Sequence, residues 1–118
     1  MSKTILFALA GLAATSAMAA PGETADRTGY SAIASGNLTM AEQRIVAERR
    51  IFPQRPELML NLAAIYHWTG RDAEARALYA AVMERPPVAM DLPSGLVMSS
   101  HDLANRALRR QAAQMATR

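Results

Sequence analysis

The sequence predicts an all-α fold: two helical hairpins in tandem and one closing helix. Three observations predict it. In residues 56–87 two amphipathic helical patterns meet at Thr69-Gly70, and Pro86-Pro87 ends the second. Four positions recur 34 residues apart, as Gly36 and Gly70, Ala41 and Ala75, Ile45 and Tyr79, Pro53 and Pro87. A shared offset of this kind marks an internal repeat, with residues 26–55 as the degenerate copy and 56–88 as the regular one. Beyond Pro93 and Gly95, an apolar stripe returns at helical spacing through Leu103, Ala104, Ala107, Leu108, Ala112 and Met115.

The elements follow in chain order. Residues 1–19 read as a secretory signal peptide. Lys3 supplies the positive start, an apolar run follows, and Ala17-Met18-Ala19 is the small-x-small cleavage site. Residues 20–25 are a polar, flexible lead-in. The first helix is expected over 26–35, with Tyr30, Ile33 and Ala34 as its apolar stripe and Gly29 weakening it. Gly36-Asn37 is the turn. A second helix is expected over 39–52, opened by a capping box of Thr39 and Glu42. Its buried side would hold Ala41, Ile45, Val46 and Phe52, with Arg44, Glu48 and Arg49 outward, and Pro53 and Pro56 stop it. Proline suits the first position of the third helix, 56–69. In the fourth, 71–84, Asp72 and Glu74 lie in the first turn and Arg85 at the end, as the helix dipole favours. The 34-residue register then fails. Residues 89–99 read as a connector with a short extended piece at Leu96-Val97-Met98. Ser99-Ser100-His101-Asp102 carries a capping pattern that opens the last helix, 100–118, a cap with one polar face.

Composition narrows the function. With residues 1–19 removed, 99 of the 118 residues remain, and Lys3, the sole lysine, goes with the leader. Twelve arginines then face ten acids, a net +2 that is too mild and dispersed to argue for nucleic acid or anionic lipid. There is no cysteine, which excludes disulfides, a thiolate nucleophile, a cysteine zinc site and a lipoprotein anchor. An exported chain of this kind is expected in the periplasm of a Gram-negative bacterium or outside the cell, with no membrane span after leader cleavage. Arg44, Arg49, Arg50 and Arg55 make a modest basic stretch that reads as a solvated helix face. The methionines are scattered and read as core filling.

The regular hairpin resembles the tetratricopeptide repeat (TPR). That pattern places a large residue, Leu-Gly, Tyr, Ala, Phe and Pro at fixed spacing over about 34 residues. Met59, Leu62-Ala63, Tyr66, Ala75, Tyr79 and Pro87 stand at those places, with Gly70 at the turn. The resemblance implies a short α-solenoid of two TPR-like repeats in which these residues pack. It also implies a concave face, lined by the first helix of each hairpin, that takes a peptide or partner helix. Glu57, Leu60, Asn61, Ala64, His67 and Trp68 are the expected groove residues, extended by Tyr30 and Ile33. Trp68 is an interface anchor on this reading; the alternative packs it on the connector near Leu92 or Leu96. Asn61 stands where some TPR proteins grip a peptide backbone or terminal carboxylate, but the basic residues they also need reduce here to Arg27.

Catalysis has little material. His67 and His101 lie on different elements, and no H-x-x-x-H, E-x-x-H, phosphate loop or G-x-S-x-G occurs. The expectation is a non-catalytic adaptor or assembly factor of the cell envelope, with no cofactor and no metal, that binds another protein. Two repeats fall short of the three usually needed for stability, which itself argues for a partner. The alternative is a homodimeric structural module without a peptide groove.

Overall fold

The computed structural model describes residues 29–117. The leader, the lead-in, Arg27, Arg118 and the start of the expected first helix lie outside them. The elements are α1 (Tyr30–Ala34), α2 (Leu38–Ile51), α3 (Pro56–Trp68), α4 (Asp72–Met83), β1 (Ala89–Asp91), β2 (Val97–Ser99) and α5 (Ser100–Ala116). Each helix up to α4 packs on the next in sequence. Helix α5 packs across α4 and reaches α3.

Two turns of the same design join the helical pairs. After α1, the Gly36 N–H donates to Ile33 and the Asn37 N–H to Ala32; after α3, the Gly70 N–H donates to His67 and the Arg71 N–H to Tyr66. This is the paired hydrogen-bond pattern that closes a helix through a left-handed residue, and both glycines sit at φ 84°. The two turns are 34 residues apart.

Helix α3 carries the core. Its sequence is apolar around most of its circumference, so it buries on all sides rather than along one stripe. Every residue from Glu57 to Ile65 is buried. One cluster joins α3 to α1 and α2 through Leu58, Leu62, Ile65, Ile33, Ala41 and Ile45. The other joins α3 to α4, α5 and the hairpin through Met59, Leu60, Ala63, Ala75, Tyr79, Val82, Met90, Leu103 and Ala104. Tyr66 and Leu78 pack against both.

Several expectations are corrected. Gly29 does not sit inside a helix; it precedes α1 at φ 72°, and a Cβ there would stand 2.8 Å from the Ile45 side chain. Glycine therefore serves both the backbone angle and the close approach of α2. The cap of α2 is Asn37, whose Oδ1 accepts from the Met40 N–H at 3.1 Å. Glu42, expected to reach back to Thr39, instead pairs with Arg71. Phe52 is exposed, because the chain leaves the helical conformation there, and Arg55 stacks 3.9 Å over its ring. Ala112 is exposed and Met115 is 49% exposed, so the buried line of α5 runs through Ala104, Ala107 and Gln111 instead.

The connector is a two-stranded antiparallel hairpin, with Met90 opposite Met98 and Asp91 opposite Val97. Met90 is fully buried and fixes the hairpin to the core. The Ser100 N–H donates to Val88 at 2.8 Å, and the Val88 N–H donates to Ser100 Oγ at 2.9 Å. Ser99 Oγ accepts from the Asp102 N–H at 3.0 Å and caps α5.

Candidate functional site

The residues expected to line an open concave groove are mostly inside the protein. Ile33 and Leu60 belong to the two cores, and Glu57, Asn61 and Ala64 are at most 6% exposed. The physical reason is the central place of α3, which is flanked by α2 and α4 and crossed by α5. Tyr30 begins α1. Of the expected groove residues whose burial is described, only His67 and Trp68 keep part of their surface. Trp68 packs against the α1–α2–α3 core, whereas Leu92 packs on the other core and Leu96 is 62% exposed. The expected packing residues Met59, Leu62, Ala63, Ala75 and Tyr79 are buried, Tyr66 is half-buried, and Pro87 is exposed beyond α4.

His67 and Trp68 meet Ala64 at the end of α3, where α5 arrives. Together with Tyr79 of α4 and Ala107, Arg110 and Gln111 of α5, they line a notch of about 30 Å³. That volume suits about two water molecules or one small polar group. The α3–α5 contact that makes the notch depends on the hairpin, which turns the chain back so that α5 lies beside α4.

Each polar group of the notch has a distinct state. His67 Nδ1 lies 2.8 Å from Asp72 Oδ1, across the turn that joins α3 to α4. A carboxylate only accepts, so Nδ1 carries the proton in this contact. Burial pushes the Tyr79 phenol far above its ordinary range, and Arg110 draws it down by less, so Tyr79 is neutral across the physiological range. Arg110 is exposed. Gln111 is only 4% exposed, yet neither its Nε2 nor its Oε1 has a hydrogen-bond partner among the described residues.

Arg71 braces the same α3–α4 turn from the other side. Its guanidinium holds Glu42 of α2 in two contacts, 2.6 and 3.0 Å, donates to Thr69 Oγ1, and lies 4.5 Å over the Tyr66 ring. The hydrogen bond from Arg71 holds the Glu42 carboxyl below its ordinary value of 4.5. The chain thus ties α2, α3 and α4 together at the end of the molecule that presents His67 and Trp68.

His67 beside Asp72 has the first two members of a hydrolytic triad, but the notch lining offers no serine, threonine or cysteine to complete one. His101 Nε2 contacts the Arg85 carbonyl oxygen at 2.5 Å, away from the notch lining. Among the described residues no group of three or more His, Asp or Glu is placed to hold a metal ion. No helix among them is long and apolar enough to cross a membrane.

Sequence reasoning located His67, Trp68 and Ala64 but missed the α5 side. A signal was there. Gln111 falls four residues after Ala107 and seven after Ala104, a polar side chain in register with an apolar face. No protein-family model matches the sequence, and no curated protein or solved structure matches it.

Proposed function

We propose that this protein is a non-catalytic, TPR-like adaptor or assembly factor, which captures a peptide segment of another protein at the notch between α3 and α5. The observation that carries this reading is the notch itself. It gathers the sole tryptophan and a histidine from the first helix of the regular hairpin, and it faces solvent through an exposed arginine. A rigid aromatic lining a small depression beside polar groups is a typical anchor of peptide interfaces. The TPR likeness is supported by the 34-residue offset and by the two turns that share φ 84° and the same hydrogen-bond pairs. Ala41 and Ala75 are both fully buried at equivalent places, and so are Ile45 and Tyr79 to within 3%.

On this reading α5 occupies the place of the first helix of a third repeat. It supplies the surface that two repeats lack. The protein works in the periplasm or outside the cell after loss of residues 1–19, without a cofactor or metal. The test is an array of short random peptides probed with residues 20–118. Binding that changes Trp68 emission in wild type, and that calorimetry finds at least tenfold weaker for Trp68→Ala, is the expected result. An array that captures nothing would refute it.

A second reading has its own observation. Ile51, Leu96 and Val97 are each more than 60% exposed. Large apolar side chains at such exposure suit an interface between two copies of the chain, and that homodimer would need no peptide.

A further inference from the structure

Gln111 is the most anomalous side chain in the described fold. A glutamine amide has two N–H donors and two oxygen lone pairs, and burial without partners sacrifices the hydration of all of them. Buried polar atoms in folded proteins are nearly always paired, so an exception needs a cause. Asn61 and Tyr79 cannot be counted as similar exceptions, since both have interactions of their own. Gln111 stands apart because both ends of its amide are unmatched at once. It also lines the notch, together with Ala64, Trp68 and Ala107.

The chemistry of the missing partner can be read from the amide. It must present one donor and one acceptor side by side, to a planar group in a space of about 30 Å³. In an extended chain, the N–H and C=O of a single residue leave the backbone on the same side, as they do toward a neighbouring strand. A glutamine amide can engage both, standing in for a strand residue. A lone anion would satisfy only Nε2, and a lone cation only Oε1.

We propose that the notch binds an extended peptide through the backbone of one of its residues, the Gln111 amide donating from Nε2 to that residue's carbonyl and accepting at Oε1 from its N–H. Trp68 then covers the bound segment. In the unbound protein the amide is shielded, so entry requires a rotamer change at the rim, where Arg110 is exposed and Trp68 half-buried. This inference rests on the peptide-binding reading and adds the group that performs the recognition.

The experiment takes the tightest peptide from the array, in its N-acetylated, C-amidated form, and titrates it into wild type, Gln111→Leu and Gln111→Glu while following Trp68 emission. Two neutral hydrogen bonds are at stake, so each variant is expected to weaken binding about ten- to thirtyfold. The melting temperature of Gln111→Leu is expected to equal or exceed that of wild type, because an apolar group replaces an unmatched buried amide. N-methylation of the single contacted residue of the peptide should weaken wild type by a similar factor and leave Gln111→Leu unaffected.

Four results would overturn the inference. Unchanged affinity in both Gln111 variants, with peptide still bound, would remove Gln111 and leave peptide binding intact. A lower melting temperature for Gln111→Leu would mean that bound water already satisfies the amide as part of the fold. Binding that vanishes on C-terminal amidation would assign the notch to a carboxylate. If no peptide binds wild type, the proposed function falls and this inference with it.

Discussion

Gly29, Gly36 and Gly70 share a left-handed backbone, but they are not equivalent. Gly36 and Gly70 close helices at φ 84° with nothing within 4 Å of a would-be Cβ, so Gly36→Ala or Gly70→Ala should cost only the conformational penalty, about 1 kcal/mol. Gly29 adds a clash with Ile45 at 2.8 Å. Gly29→Ala should therefore lose about 2 kcal/mol or more, from the angle and the overpacked contact together. Denaturant midpoints of the three variants would show the ordering, and equal losses would contradict it.

The Arg71–Glu42 pair is partly exposed, at 37% and 28%. Solvent screening limits its worth, so Glu42→Gln should destabilise by less than about 1 kcal/mol. Its pH dependence has a definite sign. The Glu42 pKa is lowered in the folded protein, so the contribution is present above the ordinary carboxylate value of 4.5 and fades as pH falls through the folded value. Wild type and Glu42→Gln should therefore differ most near neutral pH and converge in acid. A difference that persisted or grew in acid would show that the pair is not its source.

At the scale of elements, the helix starts separate two kinds of sequence signal. Thr39 and Glu42 match a capping box, but Asn37 reaches the Met40 N–H first, and Glu42 is drawn off by Arg71. Asn37→Ala should cost about 1 kcal/mol, whereas Thr39→Ala should be nearly neutral in thermal melts. The hairpin depends on one side chain in the core. Met90 is fully buried in the core shared by α3, α4 and α5, and Met90→Ala should cost about 2–5 kcal/mol. Exchange protection of the hairpin amides should fall more than that of α2, which packs in the other core.

What could be read from the chain follows from the range of the forces involved. Helices α2, α3 and α4 were legible within one or two residues, because periodicity, proline and glycine act locally. The turn at Gly70 was legible for the same reason. The connector was legible as a break with an extended piece at Leu96-Val97-Met98, which β2 (Val97–Ser99) matches in part, but not as a paired hairpin. Its three-residue strands carry too short a pattern, and the turn from Leu92 to Gly95 is held by backbone bonds that no side chain advertises. The candidate site was half legible. His67 and Trp68 came from the repeat pattern, but Gln111 is brought to them by the return of α5, a long-range placement that helical periodicity does not encode. The same placement, together with the all-round apolarity of α3, explains why Leu60, Asn61 and Ala64 are buried rather than open to a groove.

For the molecule as a whole, α3 belongs to both cores, so neither hairpin has a separate interior. On the proposed function, recognition falls to one end of the molecule, where α3, α4 and α5 converge on the notch. The rival surface is elsewhere, in the exposed apolar side chains Ile51, Leu96 and Val97. The two surfaces make opposite demands on the free protein. A notch that waits for an outside peptide needs a folded chain that is complete by itself. An apolar interface between copies ties folding to association, and stability then rises with concentration.

The most direct measurement is the solution mass of residues 20–118 over a wide concentration series, with a thermal melt at every point. A monomer throughout, with one fixed melting temperature, is the predicted result. A dimer whose melting temperature climbs with concentration would contradict the account, because the exposed apolar side chains would then be an interface between two copies of this chain.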